Sequence, residues 1–185
     1  MIDRTLKWPL MTSKPLDRWV SKSGKLVILG DAAHVMVPYM SQGDISSFTP
    51  RLMFCLHVHA GAAMAVEDGA ALAEALRHAY SAEDIIPALD VYQDVRIKRS
   101  SQMQQASLVN GVVFHFPDGP EQEARDAAMQ AEVGGRVFTE SPNQWSDPTT
   151  QAWAYGYDAV GAIADAFQEV EVGRSVIESK MSILQ

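Results

Sequence analysis

The sequence predicts an α/β chain that is mostly helical, with one or a few strands. Three observations predict it. "KLVILGDAAH", Lys25–His34, is a short continuous run of Val, Ile and Leu ended by glycine, the pattern of a strand buried on both faces. Long Ala-, Leu- and Glu-rich stretches follow it and favour helix. The rest of the chain is short of further strand-like runs, so one buried strand is set among helices and lacks most of its sheet.

The elements follow in order. Residues 1–24 mix apolar and basic residues, punctuated by Pro9, Pro15 and Gly24, and predict a short strand ("TLKWPLM") and a loop. The buried strand then ends at Gly30, and a loop runs through Pro38, Ser41 and Gly43. A helix is expected from Ala62 to about Tyr80, weakened at Gly69. Ser81 with Asp84 has the spacing of a helix cap. The next helix should run from about Ile85 to Val109, with Pro87 in the first turn where proline is tolerated. Ile85, Ile86, Leu89, Tyr92 and Val95 give it an apolar stripe, and Met103 continues as core. "FPDGPEQEARDAAMQAEV" predicts a turn and a short polar helix, residues 134–150 a loop, and Asp158 to about Glu171 a last helix. The expected division is 1–110, carrying the strand and main helices, and a helical C-terminal region over 111–185.

The totals exclude several classes of partner. The 185 residues suffice for one domain with a sizeable core. Fifteen Lys and Arg against 23 Asp and Glu leave a net charge of −8, which argues against a nucleic-acid backbone or an anionic membrane as partner. The one cysteine, Cys55, allows no internal disulfide. No signal-like segment opens the chain, and the longest mostly apolar run, Leu52–Val66, is shorter than the ~20 residues a membrane helix needs and contains His57 and His59. The expectation is a soluble, cytoplasmic protein.

The ordered set "GDAAHVMVPYMSQG … AAMAVEDGAALAEAL", with "HFPDGPEQEARDAAM" and "NQWSDPTTQAWAYGYDA" downstream, resembles the class A FAD-dependent aromatic monooxygenases, and most closely salicylate-hydroxylase-like members. The resemblance covers about residues 5–43 and 62–170. It implies the second half of an FAD/NAD(P)-binding flavoprotein hydroxylase domain. It implies FAD as cofactor, NAD(P)H as reductant, and a small aromatic substrate that receives one oxygen atom of O2. The N-terminal dinucleotide fingerprint "GxGxxG" occurs nowhere in the sequence. The pyrophosphate and adenosine of FAD would thus lack their main site, and FAD binding by this chain should be weak or absent.

The chemistry of the motif suggests roles. Gly30 permits a tight turn at the strand end. Asp31 places a carboxylate where ligands of open α/β sheets sit; by family analogy it accepts hydrogen bonds from the ribityl hydroxyls, and the alternative is a turn cap. Pro38 stiffens a loop that lies beside the isoalloxazine ring in the family. Gln42 and Gly43 lead toward a helix whose first residue, Ala62, would present unpaired N–H groups to the negative charge of a reduced flavin. His34 reads as a structural histidine under this loop rather than an acid or base. Glu67 and Asp68 are adjacent on a helix and point in different directions, so they read as a surface and packing pair. His57 and His59 with Cys55 lack a further ligand at fitting spacing, and no metal site is assigned. Trp145, Trp153, Tyr155 and Tyr157 read as a packing cluster. No catalytic residue is assigned.

One segment fits none of this. Between Gly43 and Ala62 lie 18 residues, "DISSFTPRLMFCLHVHAG", Asp44–Gly61. Removing them joins loop to helix as "YMSQGAAMAVEDGAALAEAL", the uninterrupted family pattern. Their 54 nucleotides are compatible with GT…AG boundaries at Gly43 and at Ala60-Gly61, which suggests a retained intron; the alternative is a genuine insertion that shapes a lid. The segment is expected to pack poorly and to break the flavin site at Gly43. Two functions stand side by side: an FAD-dependent monooxygenase by family whose present chain is inactive, and a non-catalytic truncated product or helical interaction fragment.

Overall fold

A computed structural model describes residues 6, 9–40 and 60–183. Seven α-helices are found among them: α1 Asp31–His34, α2 Ala60–Arg77, α3 Ile85–Phe114, α4 Pro120–Ala128, α5 Gln130–Val133, α6 Pro148–Tyr155 and α7 Ala159–Ile183. Helices α2, α3 and α7 pack on one another and form the body, with residues 19–40 packed against it.

The mostly helical expectation holds, but the described residues contain no strand. Lys25–Gly30 reaches only one isolated antiparallel bridge, Val20 with Val27, closed by Ser21 N–H to the Leu26 carbonyl at 2.8 Å and Ile28 N–H to the Trp19 carbonyl at 3.0 Å. A strand gains its energy from neighbours, and two short segments alone do not make a sheet. The run is not buried on both faces either, since Leu26 is 63% exposed and Leu29 39%. The described part of "TLKWPLM" is likewise not a strand.

Helix α2 buries Gly61, Met64, Asp68, Ala71 and Ala75, a stripe spaced alternately by three and four residues. Its small residues let neighbours approach closely. Ala71 and Ala75 meet Trp19, Ala33, Tyr92, Ala159 and Ile163 in one core cluster. Met64 joins Met40, Met103 and Ala154 in a second. The helix begins at Ala60, two residues before the expected Ala62.

Asp84 holds the entry to α3 as the spacing suggested: its carboxylate accepts from the Ser81 N–H at 2.9 Å and the Tyr80 N–H at 3.1 Å. Helix α3 runs five residues beyond the expected Val109. Leu89, Tyr92 and Met103 are core, while Ile85 and Ile86 are 39% and 43% exposed. Its buried face is instead largely polar, with Gln93, Arg96, Arg99, Ser100, Gln104, Ser107 and Asn110. The single polar helix expected after the turn is divided into α4 and α5 at Met129. Asp147 caps α6, accepting from Thr150 N–H at 2.8 Å, and α7 continues past Glu171 to Ile183. No helix among the described residues is long and apolar enough to cross a membrane.

Gly111, near the end of α3, is glycine because of Tyr39. A Cβ there would stand 2.7 Å from Tyr39 Cδ2 and 2.9 Å from Cε2. The Tyr39 ring is confined by edge contacts with Phe114 and His115, at centroid distances of 6.3 and 5.4 Å. Alanine would gain up to about 1 kcal/mol in helix propensity, but overpacking costs about 1–3 kcal/mol. Gly111→Ala is therefore expected to destabilise the chain in urea unfolding. The same substitution in a Tyr39→Ala background should be neutral or stabilising; destabilisation in both backgrounds would disprove the steric account.

Candidate functional site

The Gly30-Asp31 turn sits on the N-terminal half of α2. Gly30 has φ 60°, a left-handed conformation that disfavours side chains, and its missing Cβ would lie 3.2 Å from Ala65 Cβ. Two constraints, backbone and contact, thus select glycine. The turn is gripped from α2 by Asp68, whose Oδ2 accepts the Gly30 N–H at 2.9 Å and His34 Nε2–H at 2.6 Å. His34 is buried, with its ring 5.4 Å from that of Trp19, as suits a structural histidine.

Asp31 is exposed and accepts no hydrogen bond from another described residue. Its Oδ1 lies beside the first turn of α2, 3.1 Å from where a Cβ on Gly61 would be. Pro38 is exposed on the loop that follows α1. Ala62 is exposed in the first turn of α2. Gln42 and Gly43 lie outside the described residues, as do Cys55, His57, His59 and most of Asp44–Gly61; Ala60 and Gly61 are helical. Gly30, Asp31 and the start of α2 are thus brought together.

Glu67 and Asp68 are not a surface pair. Arg96, fully buried on α3, donates from Nε to Asp68 Oδ1 at 2.8 Å, from Nη1 to Glu67 Oε2 at 2.8 Å, and from Nη2 to the Met64 carbonyl at 3.3 Å. Adjacent carboxylates pointing in different directions can still meet one guanidinium, because its donors spread as a fork. Arg99 adds longer bonds to Glu67 at 3.3 and 3.4 Å and reaches the Ala154 carbonyl at 2.8 Å. The Trp153 and Tyr157 rings lie 4.7 and 4.3 Å from its guanidinium carbon. The expected aromatic packing cluster is in part a seat for this arginine. Arg96 and Arg99 escaped sequence reasoning: their spacing of three along one helix is visible, but nothing in the sequence places them against Glu67-Asp68.

Burial by itself would raise the Asp68 carboxyl. The hydrogen bonds from His34 and Gly30 and the charge of Arg96 outweigh it and hold the group below the usual carboxylate range. The same burial works against the Arg96 charge, and Asp68 and Glu67 more than compensate. A carboxyl depressed in the fold contributes stability above its unfolded value of about 3.9, and this is lost as pH falls toward the folded value. Urea midpoints are expected to fall as pH drops from about 6 to about 3. Asp68→Asn should lower stability at the upper end and flatten that part of the pH dependence; an unchanged slope would remove Asp68 from the account.

No protein-family model matches the chain. Comparison with known proteins finds similarity to an FAD-dependent monooxygenase, OpS4, of Beauveria bassiana: 38% identity over 160 residues, covering 86% of this chain and 33% of the relative. A 3-amino-4-hydroxybenzoate 2-monooxygenase, PtmB3, of Streptomyces platensis is 32% identical over 157 residues, 82% of this chain and 30% of its own. A 6-hydroxynicotinate 3-monooxygenase of Bordetella bronchiseptica is 36% identical over 104 residues, 56% of this chain and 22% of its own. The chain is a homologue of the FAD-dependent monooxygenases, flavoprotein oxidoreductases, as its motifs indicated. It spans about a third of the length of the first two relatives.

Proposed function

We propose that this chain is the flavin-ring side of an FAD-dependent aromatic monooxygenase, the second half of its FAD/NAD(P)-binding domain, and that alone it is inactive. The carrying observation is the exposed Asp31 carboxylate, which accepts no hydrogen bond from another described residue and is fixed beside the start of α2 by a turn that Asp68 grips. That arrangement fits the ribityl hydroxyls of FAD, from which Asp31 would accept hydrogen bonds, with Gly30 allowing close approach. Pro38, Gln42, Gly43 and Ala62 complete the proposed cofactor edge. The N-terminus of α2, with its positive dipole end, suits the charge of a reduced ring. No residue set for the pyrophosphate is legible in the sequence. Bound FAD would supply acceptance of hydride from NAD(P)H and activation of O2; the residues named here bind and orient it. The relatives named for 3-amino-4-hydroxybenzoate and 6-hydroxynicotinate support a small aromatic substrate.

The chain alone should bind FAD weakly or not at all and oxidise no NAD(P)H. A stoichiometric FAD complex surviving gel filtration would contradict this. The role of Asp31 is tested in a chimera in which this chain replaces the corresponding third of OpS4. Asp31→Ala leaves buried hydroxyls unpaired, at about 1–3 kcal/mol, so FAD affinity should fall about ten- to a hundred-fold. Unchanged affinity in a flavin titration would make Asp31 a turn residue only. The missing fingerprint favours the second reading for the isolated chain, a non-catalytic fragment; protein that stays colourless with added FAD would support it.

A further inference from the structure

The loop after α1 lies along the polar face of α3. Three side chains of that face donate to three alternate carbonyls: Gln104 Nε2 to Val35 at 3.0 Å, Ser107 Oγ to Val37, and Asn110 Nδ2 to Tyr39 at 2.7 Å. The donors are spaced by three along a helix, roughly 4.5 Å of rise. The acceptors are spaced by two along an extended chain, roughly 6.6 Å. Side-chain length absorbs the mismatch, with the short serine in the middle and longer amides at the ends. All three donors are buried, at 3%, 0% and 0% exposure.

Asn110 has a second attachment. Its Oδ1 accepts the Gln144 N–H at 3.0 Å, and its Nδ2 lies 3.5 Å from Asn143 Oδ1. Asn143 is held in turn by Glu132, which also accepts from Ser141 at 2.7 Å. One fully buried amide therefore touches both the loop ending at Tyr39 and the segment 141–147.

We propose that Gln104, Ser107 and Asn110 are positioning residues for loop 35–40, and that Asn110 makes the placement of this loop depend on the segment 141–147. That the loop faces a flavin ring rests on the reading above. In that setting the ladder sets where exposed Pro38 stands against the ring, and α5, through Glu132, acts on it at a distance.

Hydrogen exchange read by mass spectrometry tests this on the full chain without flavin, so its outcome is separate from that of the FAD titration. Ser107→Ala should speed exchange over 35–40 by about ten-fold and leave 141–147 unchanged. Asn110→Ala should speed both segments. Asn143→Ala is the discriminating variant, because Asn143 bonds to no residue of the loop: it should speed exchange over 35–40 as well as 141–147, with α2 unchanged. If Asn143→Ala loosens 141–147 alone, or Ser107→Ala leaves 35–40 as in the parent, the proposal is overturned.

Discussion

Arg96→Ala is expected to lower the unfolding free energy by about 3–5 kcal/mol, the cost of removing one partner from a buried ion pair. The magnitude follows from what is left behind. Asp68 and Arg96 are both fully buried, and among the described residues Asp68 would keep only His34 and the Gly30 N–H. Glu67 would fall back on Arg99, whose bonds to it are 3.3 and 3.4 Å. The Met64 carbonyl would lose its side-chain donor as well. Arg99→Ala should cost less, because Glu67 keeps the 2.8 Å bond to Arg96. Urea unfolding of the two variants checks the order. A loss of less than about 1 kcal/mol in Arg96→Ala would mean that Asp68 protonates or finds water at little cost. Lys in place of Arg96 should not rescue, since one ammonium cannot reproduce the fork that joins both carboxylates.

The legible part of this fold was the helical part. Ala62–Tyr80 and Ile85–Val109 announced themselves by composition, and Asp84 capped where its spacing said. Lys25–Gly30 misled because an apolar run reports a preference for burial, whereas a strand requires partners that residues 19–21 supply at only one bridge. Helix α3 was misjudged in a different way. Its apolar stripe at Ile85 and Ile86 is half exposed, and the face that organises the site is polar. Polar residues at three- and four-residue spacing normally mark solvent, so nothing in the sequence singles out Arg96, Gln104, Ser107 and Asn110 as buried. Their burial depends on carbonyls and carboxylates from distant segments, which no local pattern records. Gly30-Asp31 was legible because a turn glycine followed by a carboxylate is a local signal; its grip by Asp68, 38 residues away, was not.

Deleting Asp44–Gly61 is expected to stabilise the chain and, in the OpS4 chimera, to raise FAD affinity about ten-fold or more, as Gly43 then leads directly into the first turn of α2, which already stands beside Asp31. The deletion is sterically reasonable. Gly43 would take the position of Gly61, where a side chain would crowd Asp31, and Gln42 that of Ala60. From Met40 to Gly43 is three residues, a reach of roughly 10 Å, and Met40 already packs in the same cluster as Met64, near the start of the helix. Shortening the connection between Met40 and α2 by 18 residues lowers the cost of closing it by up to about 2 kcal/mol. It also removes "LMFCL", an apolar run that invites aggregation. A retained intron predicts this gain, together with mature transcripts that lack the 54 nucleotides. A genuine lid predicts the reverse: lower stability on deletion, and every transcript carrying the codons without GT…AG boundaries in the DNA. Urea unfolding of the deleted chain and sequencing of spliced transcripts test the two accounts independently, and a deletion that destabilises the chain would sink the intron reading at the level of the protein.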